Sequence, residues 1–301
     1  MNIDTTTDGR PRLAQELFDL ILDYLHYDPR SLKRCSLVSK SLLPTCQRHL
    51  FSAFQIAKGN IAKLVKLFAL PTSINGHDED AILRVGVTDL LNGYTTHLIL
   101  TDPEQMAKSA VRLPKFKNVQ KITFKGDELN SSVTIPSFFK QTWMSSSSKI
   151  RSVEFDFRLM HERGILESFC VLPARIEDIG FASARTGTTV TQQEATLIRK
   201  NIENQHLPDC SSRGVRQFNG SLNLRLSRDL PHERLLSFML KFKDLFKFSF
   251  KHISYRLTYH TDIQHFASLV DECKGTLQSL DITISSPRTS TPASPITAHN
   301  D

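Results

Sequence analysis

The feature that most constrains this chain is a short apolar signature that returns along most of its length. It reads apolar, two residues, apolar, one residue, apolar. Copies stand at Phe51-Phe54-Ile56, Val119-Ile122-Phe124, Ile150-Val153-Phe155, Ile176-Ile179-Phe181, Leu245-Phe248-Phe250 and Leu277-Leu280-Ile282. Thr95-Leu98-Leu100 is a weaker copy, and Leu222-Leu224-Leu226 is a further alternating run. Alternation of this kind predicts short strands with one buried face. The copies at 119, 150 and 176 are 31 and 26 residues apart, and those at 245 and 277 are 32 apart. Segments with helical patterning fall between them, at 61–70, 103–111, 136–145, 161–171, 192–204, 232–242 and 262–273. Strands and helices alternating at this spacing predict an α/β fold with parallel strands. A doubly wound sheet is the alternative. Such sheets usually carry a Gly-rich phosphate loop, and the sequence has none.

A second constraint sits near the N-terminus, at 12–51. Leu13, Leu17, Ile21 and Leu25 recur every four residues, Ala14, Phe18, Leu20, Leu22 and Tyr24 widen the stripe, and Glu16, Asp19 and Asp23 line the opposite side. That pattern predicts an amphipathic helix with a broad apolar face. Asp28-Pro29 restarts the chain, with Asp28 as the cap and Pro29 in the first helical position. The second helix carries Leu32, Cys35, Leu37 and Val38; Pro44 breaks it, and a third short helix holds Cys46, Leu50 and Phe51. About forty residues cannot bury all of this apolar surface in a core of their own. The surplus faces the rest of the chain or another protein.

The residues of 12–51 resemble the F-box. Leu13, Glu16, Leu17, Ile21, Leu25, Leu32, Leu37, Val38 and Ser39 match that family in type and order, and the run from Ser31 to Ser41 is the most specific part. Ala14 stands where the family favours Pro, and Leu42 where it favours Trp. The match covers the first sixth of the chain. The resemblance implies docking to the Skp adaptor of a cullin–RING ubiquitin ligase, through Leu13, Ala14, Leu17, Ile21, Leu25, Leu37, Val38 and Leu42. The remainder of the chain would then act as the substrate receptor.

The strand signature, extended backward at spacing three through Leu113 and Phe116, resembles the leucine-rich repeat. Periods in that family run at about 20–29 residues, so this is an irregular, long-repeat version. The resemblance implies a solenoid over 52–284 in which units stack on their neighbours. In such an array the inward residues fill the core and the others line a binding face. The candidate substrate face is Lys121, Lys125, Glu154, Asp156, Arg225, Lys247 and Lys251. Its signs are mixed. A phosphate-backbone reader wants one sign along its length, whereas mixed charge suits a specific protein surface.

Other classes fit less well. The net charge is +7 with a pI near 9.2, but the basic residues are dispersed, so nucleic acid is not the expected partner. No apolar run approaches the roughly 18 residues of a membrane span, and the polar first residues predict no signal peptide. Five scattered cysteines without C-x-x-C predict neither disulfide frame nor zinc cage, and a cytoplasmic or nuclear setting. None of the eleven histidines has metal-site spacing, and no hydrolase or kinase signature occurs. Glu154 and Asp156 share a strand face, where a solvated surface explains them better than acid–base work. No cofactor is expected, and a non-catalytic adaptor is the expected function. The alternative is an interaction scaffold whose helices only cap the first repeat. An apolar face of the first helix left exposed favours docking; one buried against Phe54 favours the cap. Residues 1–11 and 285–301 are expected to be disordered, the latter for its Ser, Thr and Pro content.

Overall fold

The computed structural model describes residues 14–57, 59–60, 63, 89–103, 116–129, 149–173, 175–182, 185–203, 216–225, 233–257 and 261–284. The expected helices at 61–70, 103–111 and 136–145 fall almost wholly outside these residues. So do Leu13 and the terminal stretches 1–11 and 285–301.

Three helices open the described chain: α1 (Gln15–Tyr24), α2 (Pro29–Val38) and α3 (Leu43–Phe51). Asp28 caps α2 as its sequence requires. One carboxylate oxygen accepts from the amides of Arg30 and Ser31 at 3.1 and 3.2 Å, and the other from the Ser31 hydroxyl at 2.6 Å. The three helices close on a small core of Leu22, Leu32 and Cys46, with Leu25, Cys35, Leu42 and Leu50 packed around it.

The chain then lays down β1 (Ala53–Ile56), β2 (His97–Thr101), β3 (Lys121–Leu129), β4 (Ser152–Met160), α4 (Glu162–Val171), β5 (Asp178–Ala182) and β6 (Arg185–Thr186). It continues with α5 (Gln192–Glu203), β7 (Arg216–Phe218), β8 (Ser221–Arg225) and α6 (Glu233–Lys241). The last elements are β9 (Phe246–Phe248), β10 (His252–Leu257), α7 (Thr261–Cys273) and β11 (Ser279–Ile284). The large sheet is parallel, in the order β1-β2-β3-β4-β5-β8-β10-β11, with β6 paired to the far end of β4. Among the described residues the order never reverses, so these strands form no topological switch point of the doubly wound kind. β7 and β9 form a separate parallel pair.

Registry carries two apolar ladders across the sheet. One runs Leu98, Ile122, Val153, Ile179, Leu222, Ile253; the next runs Leu100, Phe124, Phe155, Phe181, Leu224, Tyr255. Each of these side chains is at most 1 % exposed. Helix α4 closes over them through Phe169, whose ring stands 5.3–6.4 Å from those of Phe155, Phe181, Phe218, Phe238 and Phe246. In β11 the same ladders end in Leu280 and Ile282, which are 43 % and 42 % exposed because β11 is the last strand.

A second ladder joins the turns that enter the strands. The carbonyl of Thr96 accepts from the amides of Gln120 and Lys121, that of Gln120 from Arg151 and Ser152, and that of Arg151 from Glu177 and Asp178. The series goes on through Glu177 and Gly220 to Lys251, whose carbonyl accepts from Gln278 and Ser279. Gly220 has no room for a side chain, since a Cβ there would lie 2.5 Å from an Asp178 carboxylate oxygen and 2.7 Å from the Glu177 carbonyl.

One strand assignment is corrected. Leu245-Phe248-Phe250 has the signature, yet the strand that joins the large sheet is β10, carrying Ile253 and Tyr255. Phe246, Phe248 and Phe250 instead extend the aromatic core around Phe218, with Phe218–Phe248 and Phe248–Phe250 stacked at 6.0 and 5.7 Å. The spacing is met there by a buried aromatic segment as well as by a strand. Between β5 and α5 the chain also contributes the two residues of β6.

Candidate functional site

Two surfaces stand out. The first is on the helical module. The acidic residues of α1 do not face solvent alone. Asp19 accepts from the Thr45 hydroxyl at 2.6 Å, and Asp23 meets Arg48 at 3.1 Å and His49 at 2.7 Å, all on α3. The Thr45 hydrogen bond, then that of Gln15, holds the Asp19 carboxyl below its usual range. With its acidic side pinned to α3, α1 turns apolar residues outward: Leu20 is 55 % exposed, Ile21 51 % and Tyr24 87 %. Tyr27, Leu37 and Val38 are open as well. Gln15 donates to the Ser41 carbonyl at 3.3 Å, which sets the start of α1 beside the segment leaving α2.

Among the residues expected to dock a partner, Ala14, Ile21, Leu37 and Val38 are therefore exposed, and Leu17 is half-buried. Leu25 and Leu42 belong to the small core. Leu20, Tyr24 and Tyr27 join the open surface. The first two were visible only as width in the apolar stripe, because periodicity does not say which flank of a broad stripe turns inward.

The second surface is the open face of the sheet, opposite α4. Alternation puts Lys121, Thr123 and Lys125 of β3, Glu154 and Asp156 of β4, Asn223 and Arg225 of β8, and Ser254 and Arg256 of β10 on it. Lys121 and Glu154 form an ion pair, as do Lys125 and Asp156 at 3.0 Å. His97 touches the Thr123 hydroxyl at 2.8 Å, and that hydroxyl donates to Glu154 at 3.4 Å. Burial raises the Glu154 carboxyl, but the Lys121 hydrogen bond and the charges of Lys121 and Arg225 outweigh it, so the net shift is downward. Burial, then Lys121, push the His97 imidazole down to about 4, with Glu154 pulling the other way. His97 is therefore neutral near pH 7. Thr123 is 6 % exposed, so its hydroxyl is a strut between two side chains and is not presented to a substrate.

Lys247 and Lys251 do not lie on this face, which corrects their placement by the strand signature. Lys247 sits on β9, near Lys243, Asp244 and Glu272. Lys251 precedes β10 and contributes its carbonyl to the turn ladder. The positions they were expected to fill are taken by Ser254 and Arg256.

The face is dented over β5. A depression of about 150 Å³ lies among Lys121, Glu154, Asp178, Gly180, Asn223 and Arg225. A wider one of about 550 Å³ adjoins it at the strand starts, between Lys149, Arg151 and Asp178. Among the described residues no group of three His, Cys, Asp or Glu side chains is arranged to hold a metal ion. No described helix is long and apolar enough to cross a membrane. No protein-family model matches the chain, and no curated protein or solved structure matches it at a significant level.

Proposed function

We propose that this chain is a substrate-recognition adaptor of a Skp–cullin–F-box type ubiquitin ligase. Its helical module docks the Skp adaptor, and its sheet presents a protein substrate. The observation that carries the reading is the orientation of α1. A helix whose acidic side is tied inward and whose Leu20, Ile21 and Tyr24 stand in solvent has its apolar surface placed for a partner. Catalysis would then occur elsewhere, by raising the effective concentration of substrate at the ligase.

The unreversed strand order, the apolar ladders and the turn ladder support a leucine-rich-repeat-like solenoid for the remainder. One observation also favours a capping role for the module. Phe51 at the end of α3 and Phe54 in β1 pack against the large core. Cap and dock use different sides of the module, α3 for the first and α1 with the end of α2 for the second.

The test is a pull-down of purified Skp adaptor by the full chain and by an Ile21→Asp, Leu37→Asp variant. Covering each side chain is worth roughly 1.5 kcal/mol, about tenfold in affinity, so the pair should weaken binding on the order of a hundredfold. Because both residues are exposed, the thermal midpoint should not move. Failure of the parent chain to bind would leave only the cap.

A further inference from the structure

We propose that the substrate segment is an extended acidic stretch of polypeptide, seated in a trench over β5 with an anionic side chain on Arg225 and Arg256. The proposal rests on the receptor reading above and names the chemistry of its ligand.

The trench follows from three neighbouring strands. On the open face β5 shows only Asp178, Gly180 and Ala182. Registry sets Ser152, Glu154 and Asp156 of β4 on one side of them and, from Gly180 onward, Asn223 and Arg225 of β8 on the other. The middle strip therefore lacks height where both walls are tall. At about 4.8 Å per strand spacing, the walls stand roughly 10 Å apart. That admits one extended chain and leaves no room for a helix of about 10–12 Å diameter. A Cβ on Gly180 would come 3.2 Å from the Glu154 Cγ and 3.4 Å from its Cβ, so the floor stays low because a residue with no side chain lies buried against the foot of the β4 wall.

Charge selects the ligand. On the β4 wall both carboxylates are already taken, Glu154 by Lys121 and Asp156 by Lys125. Asp178 accepts from the Ser221 amide at 2.7 Å. On the opposite wall Arg225 donates to the neutral Asn223 side chain at 3.2 Å. Arg256 stands beside it, since each follows a member of the Leu224–Tyr255 pair. Among the described residues no carboxylate lies at ion-pair distance from either guanidinium. To pair with Glu154 or Asp156, a cationic side chain entering the trench must displace Lys121 or Lys125, and Asp178, already engaged by the Ser221 amide, stands at the other end of β5 from Arg225. A carboxylate or phosphoryl group finds two planar forks open, suited to bidentate contact.

The experiment probes the full chain with three arrays of degenerate nonapeptides, whose central residue is fixed as glutamate, phosphoserine or lysine. The proposal expects at least tenfold greater retention on one anionic array than on the lysine array, and which of the two is stronger identifies the group. Arg225→Gln with Arg256→Gln should erase that preference while leaving the thermal midpoint in place, and Gly180→Leu should reduce retention on every array. Equal retention on the three arrays, or a preference that survives the arginine variant, overturns the trench. Each chain is also tested for Skp adaptor binding. Adaptor binding without anionic preference removes the trench alone. Anionic preference in a parent chain that does not bind the adaptor removes the ligase reading alone.

Discussion

His97 sets a pH window for the open face. Its imidazole is held near 4, against 6.5 for the free side chain, by burial and by Lys121. Between those two values the unfolded chain binds a proton that the folded chain refuses, so acidification through the window favours unfolding. The lowered Glu154 carboxyl acts further down, contributing stability above about 4.5 that is lost as pH falls below it. Thermal midpoints followed from pH 7 to pH 4 should therefore fall less steeply in His97→Gln than in the parent chain; parallel curves would contradict the burial assigned to this ring. Gly220 makes a second local demand. With 2.5 Å to the Asp178 carboxylate and 2.7 Å to the Glu177 carbonyl, Gly220→Ala forces the turn ladder apart. An overpacking cost of about 1–3 kcal/mol is expected, read as a lower denaturation midpoint at unchanged cooperativity.

Much of the element pattern is legible in the sequence. The signature located β1 to β5, β8 and β11, because burial on one face and solvent on the other leave period-two alternation in the residues themselves. Asp28-Pro29 marked the start of α2 through its capping chemistry. At 245–250 the signature marks a strand, β9, but one outside the large sheet: Phe246, Phe248 and Phe250 are buried because they complete the rings around Phe169 and Phe218. Apolar spacing reports burial and does not report hydrogen-bond partner, so Lys247 and Lys251 were carried to the wrong surface with the strand. The trench was hidden for a related reason. Gly180 and Ala182 are ordinary strand residues until registry sets them between Glu154 and Arg225. In α1 the stripe was legible but its direction was not, since the pairing of Asp19 and Asp23 with α3 exists only in three dimensions.

The described residues form two separate cores, a small one around Leu22, Leu32 and Cys46 and a large one running the length of the sheet. Removing side chain from the small one should be felt locally. Leu22→Ala is expected to cost about 2–5 kcal/mol, seen in hydrogen exchange as faster amides in α1 to α3 while those of β4, β5 and β8 keep their protection. Equal acceleration everywhere would mean that the two cores unfold as one. The unreversed strand order has a further consequence, for how the chain is made. Apart from β6, each strand of the large sheet adds to the edge left by the strand before it. On a ribosome, where segments emerge in sequence, every new unit meets a template already in place. The helical module comes out ahead of the sheet, so a nascent chain displays Leu20, Ile21 and Tyr24 while the strands of the open face are still being translated.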